Sequence, residues 1–424
     1  MEGGRRSRSS SQEANLPLGG RAATLVFCAV KLDLDRLRAE TPGCAHRIHF
    51  NNAGAGLMPT PVLETMTAYL ELEAELGGYE AADARADDIH DFYVATADLL
   101  GCRAENVAFA PSATEAFARA LSAIPFARGD LILTTRDDYI SNQIAFFSLR
   151  KRFGVEVIHA PNLPEGGVDV DAMARLMHER RPSLVAATHI PTNSGLVQPV
   201  AEIGSHCREL ELLYLVDACQ SVGQYVIDVE RLGCDFLSAT CRKFLRGPRG
   251  SGFLYVSDRA LAAGFEPLFI DMRGARWVGF EEYEQVETAA RYEDWEFSYA
   301  TVLGTAAATR YALAVGIDAI AERTPTLGGG LRDSLAEIDG VRILDRGGER
   351  CAIVTFTLSG WTSEALVHEL RRRRINSSLS ARDHALFDFT DKGVDACVRL
   401  SPHYYNTERE VADVVAAVRE LAAR

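Results

Sequence analysis

The chain has 424 residues, 47% of them hydrophobic and 25% charged, with a formal net charge of -14. That length exceeds what one core usually serves, so two domains around a shared cleft are expected, and no apolar run reaches the roughly 20 residues of a membrane span. The acidic balance works against binding nucleic acid phosphates, which calls for a basic face.

Residues 1 to about 30 begin MEGGRRSRSSSQEANLPLGGRAA, a stretch rich in Arg, Ser and Gly. The apolar piece TLVFCAV is short and Glu13 interrupts the basic run, so the segment reads as a disordered tail and not as a secretory signal. Residues 31–60 are expected to be a separate N-terminal segment ahead of the large domain. From residue 60 the pattern alternates. PVLETMTAYLELEAEL reads as a helix with Thr60 as N-cap, Pro61 in the first turn and Gly77-Gly78 as a stop. Strand-like NVAFA, DLILTT, VEVIHA and SLVAATH then alternate with helix-like TEAFARAL, SNQIAFFSLRKRF and DVDAMARLMHERR, and LLYLVDA, DFLSAT and SGFLYV extend the strand series. Such alternation signals a largely parallel sheet between helices, a large domain over 61–305. After residue 305 a long Ala-rich segment leads to strands near AIVTFTL and CVRLS and helices near SEALVHEL and EREVADVVAAVREL, a smaller α+β domain over 306–424. Gly328 to Gly330 read as a flexible connection between helices. The basic run Arg371 to Arg374 reads as a solvated helix end.

Nine cysteines are scattered, with no C-x-x-C pair and no Cys/His cluster at zinc spacing, so neither a disulfide framework nor a metal site is expected. Cys219, Cys351 and Cys397 sit in apolar strand-like contexts and read as reduced, buried thiols, which points to a cytoplasmic protein.

Three segments hold residues suited to chemistry. In DFLSATCRKFLRGPRGSGFLYV a strand ends, Lys243 comes next, and Gly247, Gly250 and Gly252 loop into another strand. Arg242 beside the lysine would lower its amine pKa and pair with an anion. In LLYLVDACQSVG an apolar run delivers Asp217, with Gln220 just after it; a carboxylate there either caps a turn or meets a cation. FAPSATEAFARAL runs from a strand into a helix whose first turn exposes unpaired amides. Ser112, Ala113 and Thr114 there serve equally well as a plain N-cap or as a phosphate cradle.

Together, and in this order, these segments resemble the class V aminotransferase group of fold type I pyridoxal phosphate enzymes, from HFNNAGAG at 49 to YYNTEREV at 411. The group includes cysteine desulfurases and the ergothioneine-pathway carbon-sulfur lyase. The resemblance implies Lys243 as the Schiff-base lysine of pyridoxal 5'-phosphate, Asp217 as partner of the pyridine nitrogen, and Gln220 as neighbour of the ring's phenolic oxygen. It implies phosphate contacts from Ala113, Thr114 and Thr240, a stacking ring from Tyr139, and Arg242 where desulfurases carry histidine. It places Asn193, in THIPTNSG, near the substrate and ring oxygen, Asn52 near the substrate, and Arg399 on the substrate α-carboxylate. RYEDWEFSYA aligns with a loop that completes a neighbouring subunit's site, so a homodimer with shared active sites is implied, and Trp295 and Glu296 are candidates to line that site. RKFLRGPRG fits the isopenicillin N epimerase-like and ergothioneine branch better than the desulfurases.

The chain departs from the desulfurase pattern in one place. The stretch INSSLSARDHALFDFTDKGVDACVRLS has no cysteine on the loop before Arg399, and Cys397 lies within an apolar strand pattern. His384 on that loop is either a substrate contact or a solvated residue. These features favour β-elimination from a cysteine conjugate or sulfoxide without a persulfide cysteine. Epimerisation, transamination and desulfurase-like chemistry are the alternatives.

Overall fold

The computed structural model describes residues 32–424; the tail expected over residues 1–30 lies outside them. The strands in chain order are β1 (Ile48–His49), β2 (Val107–Ala110), β3 (Leu131–Thr134), β4 (Glu156–His159), β5 (Leu184–Thr188), β6 (Tyr214–Asp217), β7 (Phe236–Thr240) and β8 (Gly252–Val256). They continue as β9 (Ala275–Gly279), β10 (Glu282–Gln285), β11 (Val341–Ile343), β12 (Val354–Leu358), β13 (Ile375–Asn376), β14 (Ser378–Ala381) and β15 (Ala396–Leu400).

Seven strands form one sheet in the order β2-β8-β7-β6-β5-β3-β4. Its pairs β3/β4, β3/β5, β5/β6 and β6/β7 are parallel, while β8 runs antiparallel to both β2 and β7. Helices cover both faces, which is why the strands other than the edge strand β4 are buried along their whole length and not alternating. The period of two survives in which core each residue joins: Leu184 and Ala186 face one cluster, Val185 and Ala187 the other. The carboxyl ends of β5, β6 and β7 open on one edge, the place where open α/β sheets hold ligands.

A second sheet, β11-β12-β15-β14, is antiparallel and packs its own core with the Glu408–Ala422 helix. The N-terminal stretch is tied to this part: β1 pairs in parallel with β13, and Asn51 bridges to Ser401. Among the described residues no single helix is long and apolar enough to cross a membrane.

Four local expectations change. Thr60 is the first helical residue of Thr60–Leu76, not its cap; Pro59 takes the cap position and contributes no side-chain bond. The Ala-rich segment is two helices, Tyr299–Val315 and Ile317–Ala336, meeting at 83° where Gly316 adopts φ +98°. A boundary drawn at 305 thus falls inside the first of these helices, which packs on Thr60–Leu76 and Ala86–Leu100. The run Gly328 to Gly330 is not a connection but part of the Ile317–Ala336 helix. A Cβ at Gly328 would stand 2.5 Å from the Cα of Ala352, so a missing side chain there allows close packing. The β9–β10 hairpin lies in a stretch to which the alternating pattern assigned no element; its burial pattern is largely exposed, so no hydrophobic period marks it.

Candidate active site

Strand ends and turns deliver the chemistry to one pocket. Its lining includes Ala113 and Thr114 at the start of the Ala113–Ser122 helix, Tyr139 before the Ile140–Phe153 helix, Asp217 at the end of β6, Gln220 in the next turn, Thr240 at the end of β7, and Arg242 with Lys243 beyond it. Ser112, Asn142, Thr188, Ile190, Thr192 and Cys219 complete the wall. The turn carrying Lys243 is held by the N-terminal stretch: Gly56 N–H donates to the Arg242 carbonyl at 2.7 Å, and Arg246 Nε donates to the Leu57 carbonyl at 2.8 Å.

Lys243 is buried, and burial lowers its pKa; Cys219 and Asp217 oppose that shift, while Arg242 and Arg399 add to it. A lysine shifted in this direction is a better base and nucleophile near neutrality. Asp217 is also buried, and both its oxygens are met by neutral donors: Cys219 N–H at 2.9 Å on Oδ1 and Asn142 Nδ2 at 2.9 Å on Oδ2. Gln220 Nε2 donates to the Ala53 carbonyl at 3.1 Å and to Thr192 Oγ1 at 2.7 Å, which leaves its buried Oε1 without a partner. Arg399 on β15 donates from Nη1 to the Thr192 carbonyl (2.7 Å) and Oγ1 (2.8 Å), while its buried Nε has no partner. Burial lowers its pKa to about 10. A buried guanidinium with only neutral partners is a site prepared for an anion. Arg242, half-buried, donates to the Gly54 carbonyl, and burial lowers its pKa too.

At the other end, Ser112 caps its helix by accepting from Glu115 N–H at 3.1 Å. The capping reading of that serine therefore holds, and it leaves the N–H groups of Ala113 and Thr114 with no carbonyl in their own helix to meet. Gly252 on β8 makes room there: a Cβ on it would lie 2.9 Å from Ala113 N. Thr240 Oγ1 reaches the Ser251 carbonyl only at 3.5 Å, so its hydroxyl is nearly free.

Not every expected residue faces this pocket. Asn193 turns aside, with Nδ2 on Asp388 Oδ2 at 3.2 Å, and Thr192 stands between Gln220 and Arg399 instead. Asn52 is spent internally: Nδ2 serves the His49 and Ser401 carbonyls (3.3 and 2.8 Å), and Oδ1 accepts from Tyr405 at 2.6 Å. Both protons of its amide are thus used within the protein. Cys351 and Cys397 are buried, but Cys219 lies in the turn after β6, half-buried on the pocket wall, with its thiol pKa raised well above the usual by burial and by Asp217. His384 is exposed beside Asp383 in a separate groove shared with Asn193. Trp295 and Glu296 line a surface hollow with Tyr79, separate from the pocket that holds Lys243. Sequence reading passed over Asn142, Thr188 and Thr192, ordinary polar residues at strand ends or helix starts. Thr192 was within reach, one residue before Asn193 in THIPTNSG.

The donor set fits pyridoxal 5'-phosphate. Two free helix-start amides and two hydroxyls suit its phosphate, a buried carboxylate suits a protonated ring nitrogen, the buried amine of Lys243 suits its aldehyde, and the orphaned Arg399 Nε suits a substrate carboxylate. Comparison with known proteins agrees. The family model "Aminotransferase class-V" matches residues 48–414. A probable cysteine desulfurase of Pyrococcus abyssi is 27% identical over 395 residues, covering 91% of this chain and 96% of that protein. A probable hercynylcysteine sulfoxide lyase of Mycobacterium tuberculosis is 28% identical over 375 residues, covering 88% and 89%. Among solved structures, the cysteine desulfurase of Thermococcus onnurineus superposes with a TM-score of 0.86 at 24% identity, covering 93% of this chain and 98% of that one. The cystine C-S lyase C-DES, solved with its product cysteine persulfide, has a TM-score of 0.79 at 24% identity, covering 90% and 99%. The chain therefore belongs to the aminotransferase class-V family, as a pyridoxal phosphate-dependent enzyme of fold type I that acts on amino acids.

Proposed function

We propose that this enzyme is a carbon-sulfur lyase that eliminates a sulfur leaving group from a cysteine conjugate or sulfoxide, releasing pyruvate and ammonia, with no protein cysteine taking the sulfur. One observation carries the choice: the stretch from Ile375 to Asp395 contains no cysteine, and Cys397 is fully buried, with burial pushing its thiol to about 12. A thiol so protonated and enclosed is a poor nucleophile. The similarity to a probable hercynylcysteine sulfoxide lyase points the same way.

Pyridoxal phosphate, when bound, supplies an electron sink for the bond that breaks at the substrate α-carbon. The phosphate would be held by Ala113, Thr114 and Thr240, the ring between Asp217 and Tyr139. Arg399 fixes the substrate α-carboxylate, a task suited to a planar fork of donors. Lys243, its amine pKa lowered by burial, removes the α-proton at Nζ and holds it while the β-sulfur leaves. We read the working enzyme as a homodimer, supported by apolar side chains left open on this protomer, among them Phe269, Trp277 and Phe280.

A second reading keeps the same residues and changes the outcome to epimerisation or transamination, because the cofactor supplies the sink and the surrounding contacts choose the bond. Incubation with cysteine conjugates and sulfoxides should yield pyruvate, and Lys243→Ala should abolish it. Deuterium entering the α-position from solvent with the side chain retained would favour the second reading. Turnover by Lys243→Ala would remove the basis of both.

A further inference from the structure

Behind the pocket wall lies a buried carboxylate that the proposed chemistry does not use. Asp138, directly before Tyr139, is 7% exposed, and every donor that reaches it is neutral. Its Oδ1 accepts from Tyr139 N–H at 2.7 Å, from Asn142 Nδ2 at 3.1 Å and from Thr188 Oγ1. Its Oδ2 accepts from Gln143 Nε2 at 2.6 Å and, more weakly, from Thr134 Oγ1 at 3.4 Å. A helix cap alone would use one backbone amide of the first turn. Here the carboxylate also ties the helix start to the ends of β3 and β5 through two hydroxyls.

The same Asn142 Nδ2 that meets Asp138 also meets Asp217 Oδ2, at 2.9 Å. An amide nitrogen has two protons, and each is directed at a different buried carboxylate. We infer that Asp138 and Asn142 are positioning residues: Asp138 sets the Tyr139 backbone directly and, through Asn142, the orientation of the Asp217 carboxylate, so that one buried anion aligns two of the pocket's cofactor-facing groups. Asp217 Oδ1 is fixed by Cys219 N–H, and Asn142 is the donor that fixes Oδ2 and thus the plane of the group. Without it, two buried carboxylates would face each other with no bridge, a costly arrangement. Burial and the nearby Asp217 push the Asp138 carboxyl up, while Thr188, Gln143 and Asn142 hold it down.

The inference rests on the reading of this pocket as the pyridoxal phosphate site, and its test separates the two. Wild type, Asn142→Ala and Asp138→Asn are prepared as holoenzymes. The circular dichroism of the cofactor's visible band, the cofactor dissociation constant and the melting temperature are then measured. The expected result for Asn142→Ala is an altered visible band and a cofactor dissociation constant weakened ~10-fold, the usual scale for a lost hydrogen bond to a charged group, together with a fall in melting temperature from the unbridged carboxylates. Asp138→Asn should alter the band at least as much; if it does not fold, Asn142→Ala decides alone. An unchanged band with unchanged affinity overturns the inference, and so does a fall in melting temperature and affinity with the band intact, since that is a structural role only. Wild-type protein that never develops a visible band would overturn the cofactor reading itself and this inference with it.

Discussion

Arg399 shows how much a single buried side chain can be asked to do. Its guanidinium has burial on every side, two bonds to Thr192 and a free Nε, and no carboxylate neighbour is among its hydrogen-bond partners. Arg399→Lys keeps the charge and loses the fork, so KM for the amino acid substrate should rise ~10-fold with a smaller change in kcat, as expected when binding and not chemistry is removed; steady-state kinetics reads both. His189 makes a different prediction. It is enclosed beside the end of β5, its Nδ1 has no partner, and burial lowers its pKa from 6.5 to about 4. The unfolded chain takes up this proton first, so between pH 6.5 and 4 the unfolded state binds more protons and stability falls as pH falls. The full effect is about 3 kcal/mol, and above pH 6.5 it vanishes. His189→Gln should flatten the acid side of the stability curve relative to wild type in urea titrations at stepped pH. At this scale Lys243, Asp217, Gln220 and Arg399 were legible, because unusual residues sit at strand ends in a recognisable order. Asn193 and Asn52 were not, because which way an amide points depends on partners more than a hundred residues away, Asp388 for one and Ser401 and Tyr405 for the other.

The Ile317–Ala336 helix tests the reading of elements. Three consecutive glycines and Pro325 argue against a helix by propensity, yet the helix runs through them because tertiary packing outweighs local preference. The three glycines are not equivalent. Gly328→Ala places a Cβ 2.5 Å from the Ala352 Cα and should destabilise the protein by roughly 1–3 kcal/mol through overpacking. Gly330→Ala meets nothing within 4 Å and should stabilise it by about 0.5–1 kcal/mol, since alanine restricts the unfolded chain and favours helix. Thermal melts of the two variants should therefore move in opposite directions. The strands of the central sheet were readable as apolar runs bounded by turns. The β9–β10 hairpin was not, since exposed Trp277 and Phe280 carry no inward period.

The same hairpin sets the expectation for the whole molecule. On it Trp277 is 81% exposed and Phe280 fully exposed, and contiguous apolar surface is what contact sites between proteins present. If a second copy covers this face, Trp277→Ser with Phe280→Ser should weaken self-association at least ~10-fold, as loss of buried aromatic anchors does; sedimentation equilibrium measures it. By itself the sequence determined the α/β class, the mostly parallel sheet and the family, and it singled out the lysine, carboxylate and arginine proposed for the site, because apolar runs, turn residues and motif order are local properties of the chain. Only the tertiary structure decided that Thr192 and not Asn193 stands between Gln220 and Arg399, that Cys219 joins the pocket while Cys397 is sealed in a strand, and that Asn142 bridges Asp138 to Asp217. Each of these depends on the distance between side chains far apart in sequence, and that distance is fixed by strand order and by the packing of helices on the sheet.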